Sequence, residues 1–280
     1  KNHSGKPVKD LYPESESDLK FTGYSFNEIN KMDLDCLFLA LPDRVSSNVF
    51  KKLKAKKVID LSSAHRSSKG WTYGLTEINS KNIKHSRLLA NPGCYATAAI
   101  LSAYPVKDVI DYAVFSGISG YSGAGKKPCL RNDPENLKKD ILAYSLKDHK
   151  HQEEIGNIIG KRIGFTPHVA EFFRGIIITS HIILNKNISE KQILNIFKKF
   201  YSGSDFIEIT ESIPELKSVR NTNKCIIGGF KIDKHNRLVI VSVIDNLLKG
   251  AAGQAVQNMN LMLGFPQRKG VGLNGKKIMV

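Results

Sequence analysis

No window of this chain approaches the ~18 consecutive apolar residues that a membrane span needs, and its first stretch, KNHSGKPVKDLYPE, lacks the apolar core of a secretory signal. A cytoplasmic protein without a membrane partner is expected. Cysteine is sparse too: Cys36, Cys94, Cys129 and Cys225 lie far apart and form no CxxC pair, which argues against a zinc site and a disulfide framework. Acidic residues are outnumbered, 26 against 42 Lys and Arg, leaving a net charge of +16. A field of that sign attracts nucleic acid or acidic small molecules. Clusters such as residues 51–57 lack the interleaved aromatics of a base-stacking platform, so a compositional bias is expected and no nucleic-acid partner. An anionic small-molecule substrate fits either view.

What is present suits a globular chain of about two domains: 280 residues, 41% hydrophobic and 24% charged. Short apolar runs at 36–41, 58–61 and 88–90, with a helical stretch at 45–53, indicate a parallel α/β sheet. Beyond residue 90 the pattern turns α+β. Strands are expected at 113–115, 162–165, 175–184, 225–232 and 238–244, the last two flanking the turn-rich 233–236 as an antiparallel hairpin. Ser189 with Gln192 makes a capping box for a helix over 189–201. A final helix over 251–263 stops at Gly264, with Pro266 beyond.

The segment Asn91-Pro92-Gly93-Cys94-Tyr95-Ala96-Thr97 carries the strongest chemical signal. Its sharp strand-to-helix turn puts Cys94 near a helix N-terminus, where free amides and the helix dipole favour a thiolate. A nucleophile and a buried small hydrophobe are both open for Cys94, whereas Cys36 sits inside an apolar strand. A thiolate that forms an acyl intermediate needs a proton carrier, and His168, read as a loop residue after a strand, is the candidate, with Arg174 six residues on. His149 and His151 lack a third ligand at helical spacing, so no metal is expected. Residues 117–127 are small and end in two lysines, which suits phosphate contact, yet they depart from a Walker A loop.

NPGCYAT (91–97), SGYSGAGKKP (119–128), HKHQEEI (149–155), FTPHVAEFFRGI (165–176) and DNLLKGAAGQAVQNMNLMLG (245–264), in this order, resemble the N-acetyl-gamma-glutamyl-phosphate reductase family of arginine biosynthesis. SGKPVKDLYP (4–13), LALPDRVS (39–46), DLSSAHR (60–66) and YGLTEIN (73–79) extend the likeness almost end to end. The resemblance implies a Rossmann-like domain over 1–93 and 247–280, and an α+β catalytic and oligomerisation domain over 94–246 with a mixed, largely antiparallel sheet. It implies NADPH-dependent reduction of N-acetyl-L-glutamyl 5-phosphate to the semialdehyde through a thioester on Cys94, in a homo-oligomer, dimer or tetramer.

By the same resemblance His168 is the acid/base partner. Arg174, His151 and Ser119 meet substrate, while Gly120, Ser122, Gly123, Gly125 and Asn246 line the NADPH pocket, with Ser4, Gly5 and Lys6 near the adenosine phosphate. Asp43-Arg44, Lys126, Glu153 and Glu171 depart from the family pattern. The family also opens on a strand and a GxxGxxG turn, a unit of roughly 30 residues that these residues do not contain, so a piece of a longer enzyme is expected, with a defective reductase as the alternative. Three other readings stand beside it: an aspartate-semialdehyde dehydrogenase with the same cysteine logic, a basic interaction protein without turnover, and a cysteine hydrolase.

Overall fold

The computed structural model describes residues 3–13, 15, 17–125 and 127–272; the end of the expected 247–280 segment, from 273 on, lies outside the described residues. The N-terminal part runs α1 (Phe26–Lys31), β1 (Cys36–Leu39), α2 (Asp43–Val49), β2 (Lys57–Asp60), β3 (Thr72–Tyr73), α3 (Thr76–His85) and β4 (Leu88–Ala90). Its four strands form a wholly parallel sheet in the order β1-β2-β4-β3. The carboxyl ends of β2 and β4 therefore lie side by side, with Asp60 paired to Ala90, so the loops that follow both strands rise on one edge.

The second part runs α4 (Cys94–Ala103), β5 (Ile110–Gly120), β6 (Ile141–Ala143), α5 (Lys150–Ile159), β7 (Ile163–Ala170), β8 (Ile176–Leu184), α6 (Glu190–Phe200), β9 (Ile207–Ile209), β10 (Cys225–Ile232), β11 (Arg237–Ile244) and α7 (Gly253–Met262). Its seven strands order as β6-β7-β5-β8-β11-β10-β9, with only β5/β7 and β9/β10 parallel. Strand parity divides the sheet into two faces. On β7 and β8 one face is buried, through Phe165, Ile178 and Ile182, and the other is half-buried, through Thr166, His168, Thr179 and His181.

The buried face receives α4, every residue of which from Tyr95 to Ala103 is buried. Its small side chains let the helix lie close to the sheet, where the hydroxyls of Ser102 and Ser180 meet at 2.7 Å and Ser242 donates to the carbonyl of Ala98 at 3.0 Å. An all-round apolar helix is stable only when enclosed in this way. The hairpin at 233–236 and the Ser189 box form as the sequence predicts, the box capping α6.

The elements α1, β3, α3, β6, α5 and β9 were not anticipated from the sequence, and two that were anticipated take a different form. β5 extends over Ile110–Gly120 because it is the central strand between β7 and β8, so neighbours on both flanks stabilise its glycine and serine residues. The final helix begins with one π turn, Leu248–Ala252, before α7 starts at Gly253. Among the described residues no helix is long and apolar enough to cross a membrane.

Candidate active site

Cys94 is the first residue of α4, with Gly93 as the N-cap. The turn before it is fixed from several directions. The Asn91 amide N–H donates to the carbonyl of Asp60 at 2.8 Å, and its side chain donates to the carbonyl of Ala251 at 3.1 Å. Asn258 of α7 donates to the Asn91 side chain at 3.0 Å and to the carbonyl of Gly74 at 2.7 Å. The π turn then presses Gly250 onto Cys94: a Cβ there would lie 2.8 Å from that of Cys94.

A second loop reaches the same point. Asp60, wholly buried at the end of β2, accepts from the backbone and hydroxyl of Ser62 and pairs with Nδ1 of His65 at 2.6 Å. That closes the 61–66 turn and delivers Arg66 to the base of α4. Its Nε donates to the carbonyl of Asn91 at 3.0 Å and its Nη1 to Oε2 of Glu154 at 2.9 Å. The other Glu154 oxygen accepts from the Gly93 amide at 2.8 Å and the Tyr73 hydroxyl at 2.7 Å. Four segments distant in sequence thus converge on the residue preceding the thiol.

His151, in the first turn of α5, is 6% exposed, and its ring stands edge-on to Tyr95 at 5.8 Å. A Cβ on Gly93 would run into its Nε2 and lie 2.6 Å from Nη1 of Arg66. Glycine is needed here because the imidazole occupies the space of a side chain. Gly93→Ala is therefore expected to push His151 and Arg66 aside and lower kcat by at least about tenfold, with the far-UV circular dichroism unchanged. Unaltered kinetics in a folded variant would contradict that packing.

Burial pushes the Cys94 thiol above its ordinary value of 9.0; Glu154 adds to the rise, while the Tyr95 amide and Arg66 oppose it. Desolvation thus outweighs the helix-start amides at this thiol. Burial, with Arg66 next, holds His151 well below its ordinary 6.5, and burial with Lys150 and Arg131 brings His149 to about 4. His151 is consequently neutral at physiological pH. Among the described residues its Nδ1 has no hydrogen-bond partner.

His168 does not join this cluster. It lies inside β7 rather than after it, and strand parity turns its ring to the half-buried face, whereas Phe165, which packs on Tyr95 of α4, faces the other way. The His168 ring thus stands on the half-buried face of β7, with Nδ1 3.3 Å from the carbonyl of Gly117. The expectation of a loop at this point came from Pro167, which looks like a strand end. Its carbonyl accepts from the Tyr144 amide just past the end of β6, so the flank bearing its missing N–H faces the end of that ladder, and the strand continues. The His168 carbonyl accepts from the Tyr95 hydroxyl at 2.6 Å.

The other anticipated residues separate into two groups. The Arg174 fork is occupied: Nε and Nη2 pair with the buried Asp245 at 2.8 and 3.1 Å, and Asp245 also accepts from the amides of Asn221, Leu247 and Leu248. It is a clasp between chain segments that also borders a cavity of about 1390 Å³. Ser119 and Gly120 belong to β5, and a Cβ on Gly120 would lie 2.6 Å from the Phe172 carbonyl, so glycine is required there by the chain's own packing.

Ser122 and Gly125 line the large cavity, and Gly125 has φ +83° with open space where a Cβ would be. Asn246 is buried, donating to the Ser122 hydroxyl at 3.0 Å and accepting from the Gly175 amide at 2.7 Å. Gly123 and Ser119 border a space of about 10 Å³ beside Tyr95, room for about one water. Ser4, Gly5 and Lys6 form an exposed hairpin with Phe21 and line neither space.

Arg66, Glu154 and Tyr73 carried no role in the sequence reading, although each lies in a quoted motif. Their one available signal was a charged or hydroxyl residue inside those motifs. Among the described residues no group of three or more His, Cys, Asp or Glu is placed to hold a metal ion.

Comparison with known proteins follows the same division of the chain. A family model described as "Semialdehyde dehydrogenase, dimerisation domain" matches residues 94–246, and one described as "Semialdehyde dehydrogenase, NAD binding domain" matches residues 1–86. An N-acetyl-gamma-glutamyl-phosphate reductase of Methanocaldococcus jannaschii is 39% identical over 98% of this chain and 90% of its own length. The "Bifunctional protein argC, mitochondrial" of Dictyostelium discoideum is 42% identical over 94% of this chain, which spans only 32% of that protein. Among solved structures, aspartate semialdehyde dehydrogenase II from Vibrio cholerae, complexed with ASA, superimposes with a TM-score of 0.70 at 16% identity, covering 86% of this chain and 81% of that one. That last likeness is one of fold.

Proposed function

The chain belongs to the N-acetyl-gamma-glutamyl-phosphate reductases, and on that premise we propose that it reduces N-acetyl-L-glutamyl 5-phosphate to the semialdehyde through a thioester on Cys94, with His151 as the proton carrier. The observation that carries this reading is the seat of Cys94 on the first turn of a buried helix, with the buried imidazole of His151 beneath the adjoining Gly93. Burial raises the thiol and weakens His151 as a base, so the proton passes to the ring as the S–C bond forms and not in a prior ionisation. The sulfur displaces phosphate from the acyl carbon and leaves a thioester, which accepts hydride where a carboxylate does not. The proton held on His151 is available to the departing phosphate; the oxyanion left once the thioester is reduced then collapses to the aldehyde and expels the Cys94 thiolate, and a solvent proton passed through His151 restores the thiol.

NADPH, when bound, supplies the hydride. The residues fit its nicotinamide end: Gly125 leaves the cavity wall open, Ser122 offers a hydroxyl, Asn246 fixes that hydroxyl, and about 1390 Å³ exceeds the volume of an ordinary ligand pocket. The segments 1–93 and 247–280 serve the cofactor and 94–246 the chemistry. The half-buried sheet face bearing Ile118, Thr166, His168 and Thr179 supports dimerisation, in keeping with the dimerisation domain matched over 94–246.

The test is NADPH oxidation by the purified chain with N-acetylglutamyl phosphate and aspartyl phosphate in parallel. Turnover with the first and little with the second is expected. Preference for the aspartyl compound would overturn the substrate, and no oxidation with either would overturn the activity of this chain.

A further inference from the structure

The cluster around Gly93 contains a carboxylate that the proposed chemistry does not use. Glu154 is 4% exposed, and its partners are all donors: the Gly93 amide and Tyr73 hydroxyl on one oxygen, Arg66 on the other. Arg66 is almost as deeply enclosed, its side chain 9% exposed, and its Nη1 borders the space above Gly93 beside Nε2 of His151. A full cation and a full anion are therefore held together at the base of the nucleophile's helix. Hydrophobic packing or a neutral amide would anchor a turn with less desolvation, so the charges call for an account of their own.

We propose that Glu154 is a positioning residue that sets the ionisation of Cys94 by compensating Arg66 while it holds the Gly93 turn. Burial keeps the thiol protonated in the free protein; Arg66 favours the thiolate and Glu154 offsets that pull, so the pair sets how far the cation can assist the attack. The other groups around the thiol do not duplicate this role. Tyr95 and Tyr144 are neutral hydroxyls raised by burial, His151 and His149 are held neutral, and Tyr73 is raised by burial and by Glu154. Across the π turn, Asp245 is tied to Arg174 and Lys249 to Glu77 at 2.7 Å. Among the described residues, Arg66 and Glu154 are the charged side chains that act on Cys94.

The inference rests on Cys94 being the nucleophile, and its test is chosen to fail separately. Iodoacetamide labelling of the free protein, followed on the Cys94 peptide by mass spectrometry, gives the pH midpoint of that thiol without substrate or turnover. Glu154→Gln removes the anion and keeps the shape, so the midpoint is expected to fall by about one unit; Arg66→Gln is expected to raise it by about one unit. In Glu154→Gln kcat should fall at least about fivefold with KM within about twofold, because the Gly93 turn loosens while substrate contacts stay.

Tyr73→Phe takes one hydrogen bond from Glu154 and no charge. It should leave the midpoint in place and lower kcat about twofold or more, which covers the case in which both charge variants fail to fold. A folded charge variant with an unmoved midpoint, a shift of the opposite sign, or a Tyr73→Phe protein with unchanged kcat would overturn the proposal. Unmoved midpoints beside an inactive Cys94→Ala would sink this inference alone; moved midpoints beside an active Cys94→Ala would sink the catalytic reading alone.

Discussion

Cys94→Ala is expected to abolish NADPH-dependent turnover and leave the protein folded. The change removes one sulfur from a position whose packing depends on the retained Cβ, against which Gly250 rests. A loss of about 1 kcal/mol in stability follows from so small a deletion, well within the margin of a domain of this size. The chemistry has no such margin, because no other cysteine can take over. Cys36 lies in β1 with its thiol pushed up to about 11, Cys225 is fully buried in β10, and Cys129 is exposed on the segment bordering the large cavity. Paired measurements of NADPH oxidation and a thermal or urea unfolding curve check both halves; turnover retained in a folded variant would remove Cys94 from the mechanism.

The second large effect distinguishes two histidines. His151→Asn should cost roughly 100-fold or more in kcat, as expected when a general acid/base is lost. His168→Asn should cost less than about tenfold, because that ring lies on the sheet face away from α4. The acid limb of kcat/KM should also lie well below pH 6.5, since the folded-state value of His151 is depressed and the ring is protonated only in more acidic solution. A 100-fold loss from His168→Asn together with a near-normal His151→Asn would reverse the assignment.

Much of this was legible in the chain. The strand at 88–90, the sharp turn after it, and Cys94 at a helix start could be read because Asn-Pro-Gly between an apolar strand and a small-residue helix leaves the backbone few options. The Ser189–Gln192 box and the 233–236 hairpin are local signals and formed as local signals do. What escaped depended on long-range pairing. The face a strand residue occupies changes with a shift of one position, so the direction of His168 was undefined until β7 was registered against β5 through Pro167 and Gly117.

Charge partners were equally silent. Arg66 and Glu154 are 88 residues apart, and nothing in either neighbourhood marks the other. Arg174 shows the converse: a guanidinium near the expected site suggests an anionic substrate, yet buried Asp245, 71 residues on, takes its fork. Chemistry-bearing residues could be found from sequence, but deciding which of them meet needed the sheet.

The central claim is a covalent acyl group on one sulfur, and it can be tested without any reduction step. The protein is mixed with N-acetylglutamyl phosphate in the absence of NADPH, quenched in acid, and digested for mass spectrometry while released phosphate is counted. The account predicts an acetylglutamyl group on the Cys94 peptide and close to one phosphate released per site. An unmodified Cys94 peptide, or the acyl group found on another residue with the same phosphate release, would contradict it.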